Sequence, residues 1–175
     1  MVSPESSQAR RNGPLYRDAE HVIAVHANAI LVYSSNAPNP RFLEAWARTV
    51  DELVERGDTP LLVLTIIDRR AHAPDDASKQ AIRDTVLRHA ASIQAFAYVV
   101  EGEGFAAAAV RSALALISLL ARYRFPQKVF GRVDEAVAWM LSRGVAGERP
   151  FPAAGELISA ANALSAELSA AAAAG

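Results

Sequence analysis

The stretch Leu61-Leu62-Val63-Leu64-Thr65-Ile66-Ile67-Asp68 decides how the rest of the chain is read. It has the length of a strand and shows no alternation of apolar and polar residues. A strand with one face in water alternates, so a continuous run belongs where both faces are covered, in the middle of an α/β sheet. Asp68 closes the run. Downstream, a polar loop over 69–76 leads into a helix expected over 77–93, with Ile82, Val86, Ala90 and Ile93 turned inward. Upstream lies another helix, capped by Asn39, opened by Pro40 and stopped by Gly57. Phe42, Leu43, Trp46, Val50, Leu53 and Val54 fall along one of its faces.

Before that helix, residues 21–26 and 29–34 read as two strands. Ala27-Asn28 between them suits a tight hairpin, with Asn28 supplying the left-handed backbone that such turns need. Beyond the second helix, residues 94–100 read as a strand and Gly102-Glu103-Gly104 as a turn. Residues 105–122 form a third helix, and 125–130 a short strand that admits Pro126 only at a start or an edge. Residues 133–142 form a fourth helix, with Ala136, Val137, Trp139, Met140 and Leu141 largely buried and Gly144 at its end. The order ββαβαβαβα predicts an α/β fold: a mixed, largely parallel five-stranded sheet packed by helices. A Pro-rich linker over 147–152 precedes an extra C-terminal helix over 156–168, after which an alanine run is expected to fray. The division is a flexible N-terminal arm over 1–17, a domain over 18–145, and the linker with its helix over 146–175.

Composition sets the outer bounds. At 175 residues and 51% hydrophobic, the chain is long enough for one domain with a real core. The absence of cysteine excludes disulfides, iron–sulfur clusters, thiolate zinc sites and thiol nucleophiles. A formal charge of −1 supplies no basic field, so nucleic acid is not an expected partner. Met1 to Gly13 lacks the apolar run of about 7–15 residues that a secretory signal needs. The apolar segment 105–121 contains Arg111 and is rich in alanine, unlike the roughly 20 apolar residues of a membrane span. A soluble, cytoplasmic protein is expected. Sixteen arginines against two lysines, with abundant alanine, suggest a high-GC bacterial genome.

The hairpin, the strand ending in Asp68, and the closing segment Lys128-Val129-Phe130 with Asp134-Glu135-Ala136-Val137-Ala138-Trp139-Met140-Leu141 together resemble the SpoIIAA-like, or STAS, domain. In that superfamily the last strand commonly ends in Val-Phe and leads into a helix reading Glu-Ala-x-x-Trp-Leu. The resemblance covers about residues 19–143 and rests on hydrophobic motifs that report fold. It implies a non-catalytic regulatory module of bacterial signalling that binds a protein partner. The lipid-carrying CRAL-TRIO domains share the broad fold, so a carrier or sensor of a small apolar or lipid ligand is the alternative. Antagonists in the STAS family are switched by phosphorylation of a serine in an Asp-Ser-Ser-Gly type context. Here the matching stretch is Pro74-Asp75-Asp76-Ala77-Ser78-Lys79, where Ser78 is the only hydroxyl.

The candidate partner-binding residues are Asp68, Arg69, Arg70, His72, Asp75 and Asp76, because ligands and partners dock at the carboxyl ends of parallel strands. Two arginines and a histidine there suit a carboxylate or phosphate. The plainer reading is a solvated loop whose arginines pair with Asp75 or Asp76, both of which also suit a helix cap. A phosphate on Ser78 would meet free N–H groups at a helix start, but also those two carboxylates. His21 and His26 sit five apart on a strand and point to opposite faces, and no pair of histidines has helical ligand spacing, so no metal or other cofactor is expected. Gly102-Glu103-Gly104 lacks the spacing and lysine of a phosphate loop, and no Gly-x-Ser-x-Gly elbow exists. An enzyme is the weakest reading. The third helix is apolar nearly all round and therefore needs a second cover: the C-terminal helix, a second copy in a homodimer, or an apolar ligand.

Overall fold

The computed structural model describes residues 13–143 and 151–173. Its sheet has six strands in sequential order: β1 (Gly13–Arg17), β2 (His21–His26), β3 (Ala29–Ser34), β4 (Leu61–Ile67), β5 (Ile93–Val100) and β6 (Gln127–Phe130). The first three strands pair antiparallel, and β3 to β6 run parallel. The fold is α/β with a mixed sheet, as expected, but with six strands rather than five. The added strand lies in the stretch expected to be a flexible arm. Gly13-Pro14-Leu15-Tyr16-Arg17 shows no strand pattern of its own, and its place depends on pairing with β2 around an irregularity between Pro14 and Tyr16. Proline is tolerated at such an edge. Residues 1–12, the rest of the expected arm, lie outside the described residues.

The helices are α1 (Pro40–Glu55), α2 (Asp76–Arg88), α3 (Phe105–Ala121), α4 (Val133–Arg143) and α5 (Ala154–Ala173). Asn39 caps α1 by accepting from the Phe42 N–H at 2.9 Å, and Gly57 takes a positive φ of 71° just past its end. The second helix is shorter than its spacing predicts. It ends at Arg88, a 3-10 turn spans Ala90–Ser92, and β-branched Ile93 begins β5 instead of facing inward from a helix. The hairpin turn differs too. Ala27, not Asn28, carries the positive φ of 54°. Asn28 is buried and its amide donates to the Pro60 carbonyl at 2.8 Å, tying the hairpin to the start of β4. Of the residues expected to be largely buried on α4, Ala136, Val137 and Met140 are fully so, while Trp139, which packs on Phe130, and Leu141 are partly buried. Gly144 and most of the expected linker lie outside the described residues. The alanines after Leu168 continue α5 to Ala173.

Strands added one after another in the same direction, with right-handed crossovers, place every connecting helix on one face. Accordingly α1, α2 and α3 share the first face, where Phe42, Trp46, Val50, Leu53, Val86 and Val110 meet Ile23, Ile30, Val32, Val63 and Phe96. The second face is left for whatever follows β6. It is covered by α4 and α5, whose Ala136, Val137, Met140, Leu157, Ala161 and Leu164 pack on Leu31, Tyr33, Leu62, Leu64 and Ala97. The C-terminal helix is thus a layer of the domain. It does not cover α3, which lies on the opposite face. Among the described residues no helix is long and apolar enough to cross a membrane.

Candidate functional site

The carboxyl ends of β3, β4 and β5 gather most of the residues singled out from the sequence, but the structure divides them among three places. The first is a polar cleft lined by Asp68, Arg69, Arg70, Glu101 and Gly102. The ladder between β4 and β5 runs one step past the strands, where the Glu101 N–H donates to the Ile67 carbonyl at 2.9 Å. That register brings Glu101 next to Asp68. Asp68 is buried and accepts from the Tyr33 hydroxyl, from Nε and Nη2 of Arg70 at 2.9 and 3.0 Å, and from the Arg70 N–H at 2.7 Å. Burial alone would raise its pKa, but the hydrogen bonds from Arg70 and Tyr33 prevail and hold the carboxyl at about 2. Glu101 moves the other way, raised by burial and by the charge on Asp68. Arg70 therefore pairs with Asp68, not with Asp75 or Asp76. Arg69 is exposed, and its Cβ lies where a side chain on Gly102 would go, 2.8 Å from an added Cβ. Gly102 also holds a φ of 81°, so glycine is required twice over.

The second place is an apolar cavity of about 80 Å³ beside the first, between the sheet and α1, α2 and α3. Its floor is a cross-strand row, Val32 opposite Thr65 opposite Tyr98. Phe42 and Trp46 of α1, Ile82, Thr85 and Val86 of α2, and Val110 and Leu114 of α3 form the walls. Exposed His72 stands at the rim with Asn36. Burial pushes the Tyr98 phenol far above its ordinary pKa, so it stays protonated. Of the candidate partner-binding and phosphorylation residues, only His72 lines this cavity, although several of its apolar walls were expected to face inward. One signal was present: Thr65 is the single hydroxyl inside the otherwise aliphatic β4.

The third place is the outer surface of α2 and α3. Asp75 caps α2 by accepting from the Ser78 N–H at 2.7 Å, and Asp76 pairs with Lys79 at 2.9 Å. Ser78 is half-buried in this first turn. Beside it, Asp76, Lys79, Gln80 and Arg83 border a groove of about 210 Å³ floored by Leu116, Ile117 and Leu120. The outer face of α3 projects Leu119, 74% exposed, and Leu120, 61% exposed, beside the groove, and Phe105, 91% exposed, at the start of the helix. Ala108, Ser112 and Ala115 complete that face. The one charged residue of α3, Arg111, turns back to donate to the Gly102 carbonyl at 3.1 Å.

The histidines are dispersed as their spacing predicts. His21 is wholly buried, with Nδ1 3.1 Å from Asp18 and its ring on Phe42, whereas His26 faces Glu156 of α5 on the other side of the sheet. Among the described residues no three histidine, cysteine or carboxylate side chains form a group that holds a metal. Comparison of the chain with protein-family models, with curated proteins and with solved structures finds no match.

Proposed function

We propose that this chain is a STAS-like, non-catalytic module of bacterial signalling that acts by protein–protein contact, with a second copy of itself as the first occupant. The observation that carries the reading is the outer face of α3. Four large apolar side chains, Phe105, Leu116, Leu119 and Leu120, are exposed on one helix. The C-terminal helix, one of the three covers the sequence allows, lies on the opposite face of the sheet. Contiguous apolar surface of this kind marks an interaction site rather than ordinary exposure. A second copy is favoured because projection and groove lie side by side: Leu119 stands out next to the depression floored by Leu116, Ile117 and Leu120, with Phe105 about 16 Å away at the start of the same helix. A two-fold axis sets one surface against itself, so a surface bearing both knob and hole is self-complementary. The rim carries both signs, with Asp76 beside Lys79 and Arg83, and repels neither sign wholesale. The STAS-like part of the reading rests on the closing sequence, Val129-Phe130 followed by Glu135-Ala136-Val137-Ala138-Trp139-Met140.

Light scattering on the purified chain tests this reading. The expected result is a dimer that Leu119→Glu converts to a monomer with an unchanged thermal transition, since Leu119 makes little contact within its own copy. A wild-type chain that stays monomeric at every concentration reached overturns it.

A further inference from the structure

The geometry points to the cavity under α2 as a binding site for a small, uncharged, mainly apolar molecule carrying one hydroxyl or carbonyl group. Three observations converge on it. A central strand of a largely parallel sheet should be covered on both faces. At the carboxyl end of β4 the residues facing α4 and α5, Leu64 and Ile66, are fully buried, while Thr65 and Ile67 on the other side are only half-buried, although Leu61 and Val63 before them are fully covered. The cause is α2, which packs against α1 and α3 more than against any strand and buries only Val86. It bridges its neighbours and stands away from the strand below. The space so left is the cavity.

The lining defines the ligand. It contains no lysine, arginine, aspartate or glutamate, and His72 stands exposed at the rim, so a charged group inside would lose its water without gaining an opposite charge. It does contain Thr65 and Tyr98, opposed in register on the floor, and Thr85 above them. The phenol and the two hydroxyls are groups within the lining that can donate to or accept from a guest's polar atom. A few placed polar groups in an apolar pocket are how such sites fix orientation. At about 80 Å³ the room is smaller than the cavity of about 150 Å³ that admits benzene, so a six-membered ring enters with outward movement of α2. That helix is the loosely seated wall. This site is separate from the outer face of α3, and either proposal stands without the other.

Titration with cyclohexanol tests the inference, with cyclohexanecarboxylate as the charged match and Trp46 emission as the readout. Trp46 lines the cavity, and Trp139→Phe removes the other indole, which lies on the far side of the sheet. Cyclohexanol is expected to give a saturable change and the carboxylate to bind at least tenfold more weakly. Thr65→Leu and Val110→Leu fill the cavity from floor and wall respectively. Whichever of them keeps the parent thermal transition should weaken cyclohexanol at least tenfold. Absence of saturation, equal binding of the two probes, or binding that survives a folded cavity-filling variant overturns the proposal.

Discussion

Asp68 is a carboxylate that folding takes almost out of water and yet keeps charged. The run ending in it was visible from the sequence, and so was its position at the edge where β4 stops. Its partners were not. Tyr33 and Glu101 stand beside it only because β3, β4 and β5 share one register, and local spacing carries no information about register between parallel strands. The arrangement has a consequence in pH. Because the folded carboxyl titrates at about 2, below its ordinary value, its contribution is complete above the unfolded pKa of about 3.9 and fades as pH falls toward 2. Allowing for the half-exposed Arg70, that contribution is about 1–2 kcal/mol. Asp68→Asn is therefore expected to lower stability by that amount in urea unfolding at neutral pH. The difference should shrink steadily on acidification; a difference independent of pH would mean that Asp68 is not held ionised.

At the scale of elements, the periodic helices and the aliphatic strands were the legible part. Residues 21–26, 29–34 and 61–67 have the strand boundaries their patterns suggest, and α1 begins and ends at its capping residues. What local pattern did not specify was tertiary in origin. The strand β1 is defined by its neighbour, and α2 ends early where His89 turns inward against Trp46 and Ile93 is taken into β5. The C-terminal helix was legible as a helix but not as a layer. Its Leu157 and Ala161 are fully buried, and Glu156 and Glu167 on it face His26 and Arg17 on β2 and β1. Leu157→Ala is expected to cost about 2–5 kcal/mol, the range for a leucine removed from a packed core. A cost near zero in denaturant unfolding would return α5 to the status of an appendage.

For the whole molecule, sequential strand order is the decisive property. It commits three crossover helices to one face and makes the chain's last two helices responsible for the other. With α5 so engaged, α3 keeps an apolar outer surface that nothing among the described residues covers. The sequence already required a second cover for α3. Which cover applies depends on the face α5 takes, and that follows from topology rather than from composition. The Asp68–Asp76 loop, expected to act as one surface, is divided between an internal ion pair, the rim of the cavity and the cap of α2. Only Asp76 reaches the groove beside α3.

The absence of cysteine permits the most direct test of the central claim. Arg124→Cys introduces a single thiol at an exposed position just past α3. A spin label there should report a discrete label-to-label distance between copies at micromolar concentration, and Leu119→Glu should abolish it. Labelled chains with no dipolar coupling at any attainable concentration would contradict a self-associating module.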